Sequence, residues 1–162
     1  MVTLLIIAVT ITTLFCVSIF FGPPYLPTMH LQAVTALNLL SLKPGQTLLE
    51  LGSGDGRVAR LAAQQGLQVV GIEINPLLVL ISRLVTWRYR RQVHILWGSY
   101  WHRSWPPADG IFTFMIQRQM TRLDNQVMHW HEGPLNLASF AFRIPGKHIS
   151  QSAGGVFLYS YD

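Results

Sequence analysis

Thr47-Leu-Leu-Glu-Leu-Gly-Ser-Gly-Asp-Gly56 decides how this chain folds: a short apolar run stops in three glycines at alternate positions, Gly52, Gly54 and Gly56. A second apolar run ends in an acid at Val70-Gly-Ile-Glu73. A strand that halts in a glycine turn and restarts as a helix lets the backbone approach a ligand closely, with free N–H groups at the helix start. An acid about 20 residues further on, at the tip of the next parallel strand, can accept hydrogen bonds from two ribose hydroxyls. The spacing is G-x-G-x-G, not the G-x-G-x-x-G that cradles a dinucleotide pyrophosphate, and Glu50 precedes it. A carboxylate beside the loop suits a cationic amine better than a phosphate.

Glu50-Leu-Gly-Ser-Gly-Asp-Gly56 followed by Val70-Gly-Ile-Glu73 resembles motif I and the succeeding acidic motif of class I S-adenosylmethionine-dependent methyltransferases. The resemblance implies that Glu50 and the Gly52-Ser53-Gly54 turn hold the methionine end of S-adenosylmethionine and that Gly56 completes the loop. It implies that Glu73 holds the ribose and that Ile74 packs near the adenine. After the third strand the family usually offers adenine an acid; here the positions read Gly98-Ser99-Tyr100, so Ser99 replaces it and the Tyr100 amide meets the ring. A hydroxyl bonds adenine less strongly than a carboxylate does. A bland connection whose glycines serve packing alone is the competing reading.

The rest of the chain alternates as such a fold requires. Helices are expected from Thr28 to Leu42, Arg57 to Gln65, Pro76 to about Arg91 and Met120 to Trp130. Strands are expected at Gln68–Glu73, Val93–Trp97, Gly110–Ile116, Leu135–Phe142 and Gly155–Tyr161. Thr28 suits a helix N-cap, Lys43-Pro44-Gly45 a helix stop, and Pro76 a first-turn position. Only Arg143 to Gly154 separates the last two strands, so the usual helix there is reduced or absent. The expected class is α/β: a Rossmann-like, mostly parallel sheet with one antiparallel edge strand and a shortened C-terminal half.

Composition adds a second theme. Of 162 residues, 50% are hydrophobic and 12% charged, against roughly 25% charged in ordinary soluble domains. Residues 2 to 21 carry no charge, and at about 1.5 Å per residue a helix of that length spans a hydrocarbon core of about 30 Å. The segment reads as a transmembrane helix. A cleaved signal peptide competes, but there is no basic n-region and no small-x-small site before Gly22; a third possibility is a helix that covers the domain. The division is then an anchor at 1–22, an elbow and lid helix at 23–45, and a methyltransferase domain at 46–162.

Gly22-Pro-Pro-Tyr-Leu-Pro27 is a stiff elbow, since each proline fixes its own φ and restricts the residue before it. A similar Pro-Tyr-hydrophobic-Pro-Thr segment follows the membrane helix of the small membrane-anchored protein-lysine methyltransferases of mitochondria and their bacterial relatives. That resemblance makes Tyr25, Pro27 and Thr28 a lid over the methyl donor; a plain linker is the alternative. The single Cys16 excludes an intrachain disulfide. With S-adenosylmethionine held in the cytoplasm or an organelle matrix, the domain is expected to face that side of the membrane as a single-pass protein.

The net charge of +5 and the cluster Arg83, Arg88, Arg90 and Arg91 fit anionic lipid or an acidic partner better than sequence-specific nucleic acid. The fourth strand ends in Phe114-Met-Ile-Gln117, not the Asn/Asp-Pro-Pro-aromatic motif of adenine and glutamine N-methyltransferases; Gln117 is a candidate to orient substrate or a plain surface residue. His129-Trp-His131-Glu132 has the wrong spacing for a helix-borne metal site, so no metal is expected. No Gly-x-Ser-x-Gly elbow, P-loop lysine or Cys-His pair is present. The resulting expectation is methyl transfer by in-line displacement, with no residue identified as catalytic and with a protein lysine as acceptor. A small hydrophobic or lipid acceptor, or an inactive methyltransferase-like binding module, remains open.

Overall fold

The computed structural model describes residues 2–6, 9–10, 12–13 and 28–162. Tyr25, Pro27, Cys16 and much of the expected anchor and elbow lie outside them. Among the described residues no helix is long and apolar enough to cross a membrane. From residue 28 onward the chain runs α1 (His30–Leu40), β1 (Thr47–Leu51), α2 (Arg57–Gln64), β2 (Gln68–Glu73), α3 (Pro76–Val85), β3 (Val93–Trp97), β4 (Gly110–Thr113), α4 (Met120–Trp130), β5 (Leu135–Phe140), β6 (Gln151–Ala153) and β7 (Val156–Tyr161).

The seven strands lie in the order β3-β2-β1-β4-β5-β7-β6. The first five are parallel, and β7 runs antiparallel to both β5 and β6. The order reverses beside β1, so the crevice between the carboxyl ends of β1 and β4 is where a ligand binds in sheets of this kind. Alternation along β1 divides the core: Leu48 faces a cluster with α1, α2 and α3, whereas Leu49 and Leu51 face α4 and the Tyr100–Trp105 segment. Glu50 shares the face of Leu48 and is buried there, 2% exposed.

The strands at Gln68–Glu73 and Val93–Trp97 and the helix at Met120–Trp130 fall where expected. Several other ends differ, each for a local reason. Thr28 does not cap α1; Met29 is the N-cap residue, and the buried Thr28 turns its carbonyl to Arg57 Nη1 at 3.3 Å. That helix ends at Ser41 in the left-handed region, φ 51°, its N–H on the Leu37 carbonyl, before Lys43-Pro44-Gly45 is reached. Asn75 caps α3, its side chain accepting from the amides of Leu77 and Leu78 with Pro76 in the first turn. α3 stops short of Arg91 because the Thr86 hydroxyl bonds back to the Ser82 carbonyl at 2.7 Å, and the chain tightens into a 3-10 turn at Trp87–Tyr89.

β4 ends at Thr113 rather than Ile116. Its partner β1 ends opposite, Leu51 against Thr113, and the Thr113 hydroxyl donates to the Leu51 carbonyl at 3.2 Å, so no ladder remains beyond. β5 ends at Phe140 because Ala141 adopts φ 68°, with the Phe142 amide on the Phe140 carbonyl at 2.9 Å. That pattern is a γ-turn with a left-handed centre, a strained conformation for a residue with a Cβ. The helix expected to be reduced between the last strands is replaced by the exposed strand β6, joined to β7 through Gly154-Gly155 at φ 54° and 79°. A two-glycine link between short runs is the hairpin signal that marks it.

Side chains order this trimmed end. The Tyr159 hydroxyl accepts from the Ile144 amide at 2.9 Å, and the Tyr161 hydroxyl donates to Asp124 of α4 at 2.7 Å. Lys147 reaches the same carboxylate at 2.9 Å while its ammonium lies 3.6 Å from the Tyr161 ring centroid. At the amino ends of the strands Asp109 accepts from the Thr47 amide at 2.7 Å, fixing the start of β1 against β4.

Candidate cofactor site

Gly52, Gly54 and Gly56 have φ of 86°, 53° and 80°, and these left-handed turns end β1 and lead into α2. The loop is held to the tip of β2 because the amides of Gly52 and Ser53 both donate to the Ile72 carbonyl, at 2.9 and 3.2 Å. Glu73, 7% exposed, completes the clamp: one carboxylate oxygen accepts from the Gly54 amide at 2.9 Å and the other from the Asn75 amide at 2.8 Å. Each oxygen keeps a second lone-pair direction, which two vicinal hydroxyls can take. The loop and the acid thus meet as expected from their spacing.

Two glycines make the fit possible in different ways. A Cβ at Gly52 would meet nothing within 4 Å, so the space above this turn is open for a ligand, whereas one at Gly56 would stand 2.8 Å from Ser82 Cβ and 2.9 Å from Ser82 Cα. Gly71, to which the spacing assigns no role, is also obligatory: a Cβ there would lie 2.8 Å from Ser53 Cβ. Asn75 and Ser82 are likewise absent from the sequence-based set, although Asn before Pro at a helix start is a readable cap.

Three carboxylates crowd the loop, and they are compensated unequally. Asp55 is gripped by Arg57, whose Nη2 and Nε lie 2.6 and 3.0 Å from one oxygen. Glu73 has its two amides. Glu50 Oε2 is buried with no hydrogen-bond partner. Burial, then the charge of Asp55, then that of Glu73 raise the Glu50 carboxyl well above its ordinary range, with only the Ala59 amide acting the other way. A buried acid beside an open glycine turn is a socket for a cationic group: an ammonium there satisfies the orphan oxygen and offsets the crowding. Ser53 Oγ is also buried without a partner. These residues fit the amino-acid end of S-adenosylmethionine.

The adenine side is less complete. Ser99 Oγ accepts from the Trp101 amide at 3.2 Å, which spends part of its acceptor capacity in a local turn. Ile74 is half-buried and its carbonyl accepts from the Trp97 indole at 3.1 Å, so the indole lies against the segment expected to border adenine. Tyr100 buries its ring among the α4-side residues, and its carbonyl takes both Trp105 Nε1 and Gln126 Nε2, at 2.8 and 3.0 Å. Burial first, then Glu73, push its hydroxyl up to about 12, so it is a neutral phenol and no general base at physiological pH.

At the carboxyl ends of β4 and β5 three phenylalanines gather. The Phe114 ring lies 4.7 Å from that of Phe140 and 6.4 Å from that of Phe142, the second pair stacked at 22°. The γ-turn at Ala141 lets Phe140 and Phe142 both approach Phe114. Gln117 is exposed and its side-chain amide donates to the Arg143 carbonyl at 2.9 Å, tying the end of β4 to the chain beyond β5. His129 bonds the Asn125 carbonyl at 2.6 Å and His131 meets the Tyr161 ring edge. A shallow cleft of about 180 Å³ lined by Asp109, Asn136 and Ser160 lies at the amino ends of the strands, opposite the glycine loop.

The family described as "ANTKMT methyltransferase domain" matches residues 50–151. A lysine N-methyltransferase of Xenopus laevis, named for a subunit of ATP synthase, is 32% identical over 106 residues, 64% of this chain and 46% of that protein. Adenine nucleotide translocase lysine N-methyltransferase of Mus musculus is 44% identical over 66 residues, 40% of this chain and 28% of that protein. The chain spans about half the length of the curated relatives that match it most extensively. In three dimensions it is similar to an RNA methyltransferase from Salinibacter ruber in complex with S-adenosyl-L-homocysteine, with a TM-score of 0.77, 23% identity, and coverage of 84% of this chain and 92% of that one. That likeness speaks to the fold. With the glycine loop, the buried Glu50 and the Glu73 clamp inside the matched region, the chain belongs to the ANTKMT methyltransferase family, among the class I S-adenosylmethionine-dependent methyltransferases.

Proposed function

We propose that this chain binds S-adenosylmethionine at the glycine loop and transfers its methyl group to a lysine side chain of a protein, working at a membrane. The observation that carries the reading is the unpartnered buried oxygen of Glu50 beside the open Gly52 turn. The names of the relatives, lysine N-methyltransferases, support the acceptor class.

When bound, S-adenosylmethionine supplies a methyl carbon already activated by a sulfonium, so the protein's work is to orient, to dry and to admit a neutral amine. Glu50 holds the donor's amino group, Glu73 its ribose, and Ile74, Ser99 and the Tyr100 backbone its base. The lysine nitrogen forms the new bond to carbon along the line of the breaking carbon–sulfur bond, whose electron pair stays on sulfur. Its proton leaves to water before attack. Phe114, Phe140 and Phe142 line an apolar approach that disfavours the ammonium form of the incoming amine and favours the nucleophile, and their faces hold the methylated ammonium product.

Membrane association is supported by the apolar start of the chain. Val2, Leu4, Leu5, Ile6 and Val9 are exposed in helical segments, and the hydroxyls of Thr10 and Thr13 bond back to the carbonyls of Ile6 and Val9, both at 2.8 Å. Internal satisfaction of polar groups is what a bilayer demands. In this reading residues 1–22 anchor the chain, 23–45 form the elbow and lid with Tyr25, Pro27 and Thr28, and the domain from residue 46 faces the cytoplasm or matrix.

The test is transfer of labelled methyl from S-adenosylmethionine, catalysed by the full chain in membranes, to membrane proteins and extracted lipids. The expected product is methyllysine on protein, with Phe114→Ala lowering kcat/KM by about 3- to 30-fold, the range of a lost cation–π contact, at unchanged donor affinity. Label in the lipid extract alone would transfer the reading to a small hydrophobic acceptor. Donor binding without any labelled product would leave a binding module.

A further inference from the structure

The outer side of α3 has no partner in the fold among the described residues. Leu77, Leu80, Leu84 and Trp87 follow each other at intervals of three and four residues, one stripe of a helix, and Leu80, Leu84 and Trp87 are 56%, 64% and 62% exposed. Single exposed leucines are ordinary; a continuous stripe of them is not. The stripe ends in cations. Arg88, Arg90 and Arg91 are exposed, with the Arg90 guanidinium 5.3 Å from the Trp87 ring centroid. Arg83 is excluded from this set because its guanidinium is spent on the Ile95 carbonyl, at 2.8 and 3.2 Å. At the opposite end of the helix the Trp97 indole, 62% exposed, leans on the Ile74 carbonyl just before Pro76.

Charge selects the occupant. Between Glu73 and Asp109 the sequence has five arginines and no acid, equal to the net charge of the whole chain. A leucine stripe with an indole at each end and an arginine rim matches the layered chemistry of a bilayer surface: hydrocarbon under the leucines, the interfacial zone at the indoles, anionic headgroups at the guanidiniums. A second copy of the chain matches this rim poorly, since of its seven acids Glu50, Asp55 and Glu73 belong to the site.

We infer that α3 and the following turn are a second, peripheral membrane contact, on which the domain lies against an anionic lipid surface. This deepens the membrane reading above and rests on it. Docking along α3 fixes the orientation of the domain, so that the carboxyl-end crevice opens at a set height beside the bilayer instead of sweeping freely about an anchor.

The experiment places an environment-sensitive fluorophore at Leu84→Cys, in a Cys16→Ser background, in the full chain reconstituted into phosphatidylcholine vesicles with or without phosphatidylglycerol. Met128→Cys, on α4 and 60% exposed, is the comparison position. The expected result is a blue shift at position 84 and not at 128, quenched by spin-labelled lipid and dependent on phosphatidylglycerol. The combined Arg88→Ala, Arg90→Ala and Arg91→Ala variant should weaken that docking by about tenfold or more, since each basic residue near such a surface contributes about fivefold. Flotation with the vesicles and S-adenosylmethionine binding are measured on the same samples. Chains that float and bind donor but show no shift at position 84 overturn the α3 contact alone. Chains that neither float nor shift overturn the membrane reading with it. A shift that appears without lipid and grows with protein concentration overturns the proposal in favour of self-association.

Discussion

Glu50→Gln raises the melting temperature of the ligand-free protein and removes most of its affinity for S-adenosylmethionine. Both effects follow from one buried oxygen. In the free protein Oε2 has no partner, and relieving an unsatisfied buried charge of this kind is worth about 1–3 kcal/mol. In the complex the same carboxylate neutralises an ammonium, an interaction that an amide supplies poorly, so a loss on the order of 100-fold in affinity is expected. Its pH dependence carries the signature. Because the folded-state pKa lies above the unfolded one, the folded protein holds the extra proton, and ligand-free stability falls as pH rises from the ordinary glutamate range through the raised value. Thermal scans across that window should slope downward for the natural protein and flatten for Glu50→Gln, and saturating donor should flatten the natural protein as well. A variant less stable than the parent, with parallel pH slopes, would mean that Glu50 is a structural acid.

Gly56→Ala should unfold the domain or leave it on the edge of folding. Two costs add. The residue sits at φ 80°, where an L side chain costs roughly 1–2 kcal/mol, and the new methyl overlaps Ser82 at both Cβ and the backbone Cα, 2.8 and 2.9 Å away. Backbone cannot rotate aside as a side chain can, and overpacking adds about 1–3 kcal/mol. Against a total stability of about 5–15 kcal/mol, this removes a large share. Gly146→Ala separates the causes: its φ is 72° and nothing lies within 4 Å of the added Cβ, so chemical denaturation should show only the strain of the left-handed turn. Equal losses at the two positions would mean that the contact with Ser82 relaxes freely.

The parallel half of the fold was legible because its signals are local and repeated. Apolar runs of strand length ending at Gly52 and Glu73 fix β1 and β2, and Pro76 and Met120 open helices whose apolar positions recur at helical spacing. The ladder of five parallel strands follows once those alternate. The ends were less readable wherever a tertiary partner decides them: β4 stops where β1 turns away, and α3 stops where Thr86 bonds back to Ser82. β6 carries only Gln151, Ser152 and Ala153, all exposed, and no apolar pattern announces it.

The site divides in the same way. The loop glycines, Glu50 and Glu73 were readable as a set because their chemistry and spacing are specific. That Glu73 clamps the loop through the Gly54 amide, that Gly71 makes room for Ser53, and that Glu50 is left unpaired all depend on which atoms the register brings together. The gathering of Phe114, Phe140 and Phe142 was invisible for a different reason: it needs Ala141 in the left-handed region, and nothing about an alanine advertises that.

Donor binding at the glycine loop is the central claim, and calorimetric titration of S-adenosylmethionine and S-adenosylhomocysteine into the detergent-solubilised full chain tests it most directly. Saturable one-to-one binding of both is expected, reduced at least about 100-fold in Glu73→Ala, where the ribose loses its acceptor and the Gly54 and Asn75 amides lose their clamp. Absence of heat in a sample whose cooperative thermal unfolding shows it to be folded, or equal binding by Glu73→Ala, would contradict the assignment of the site.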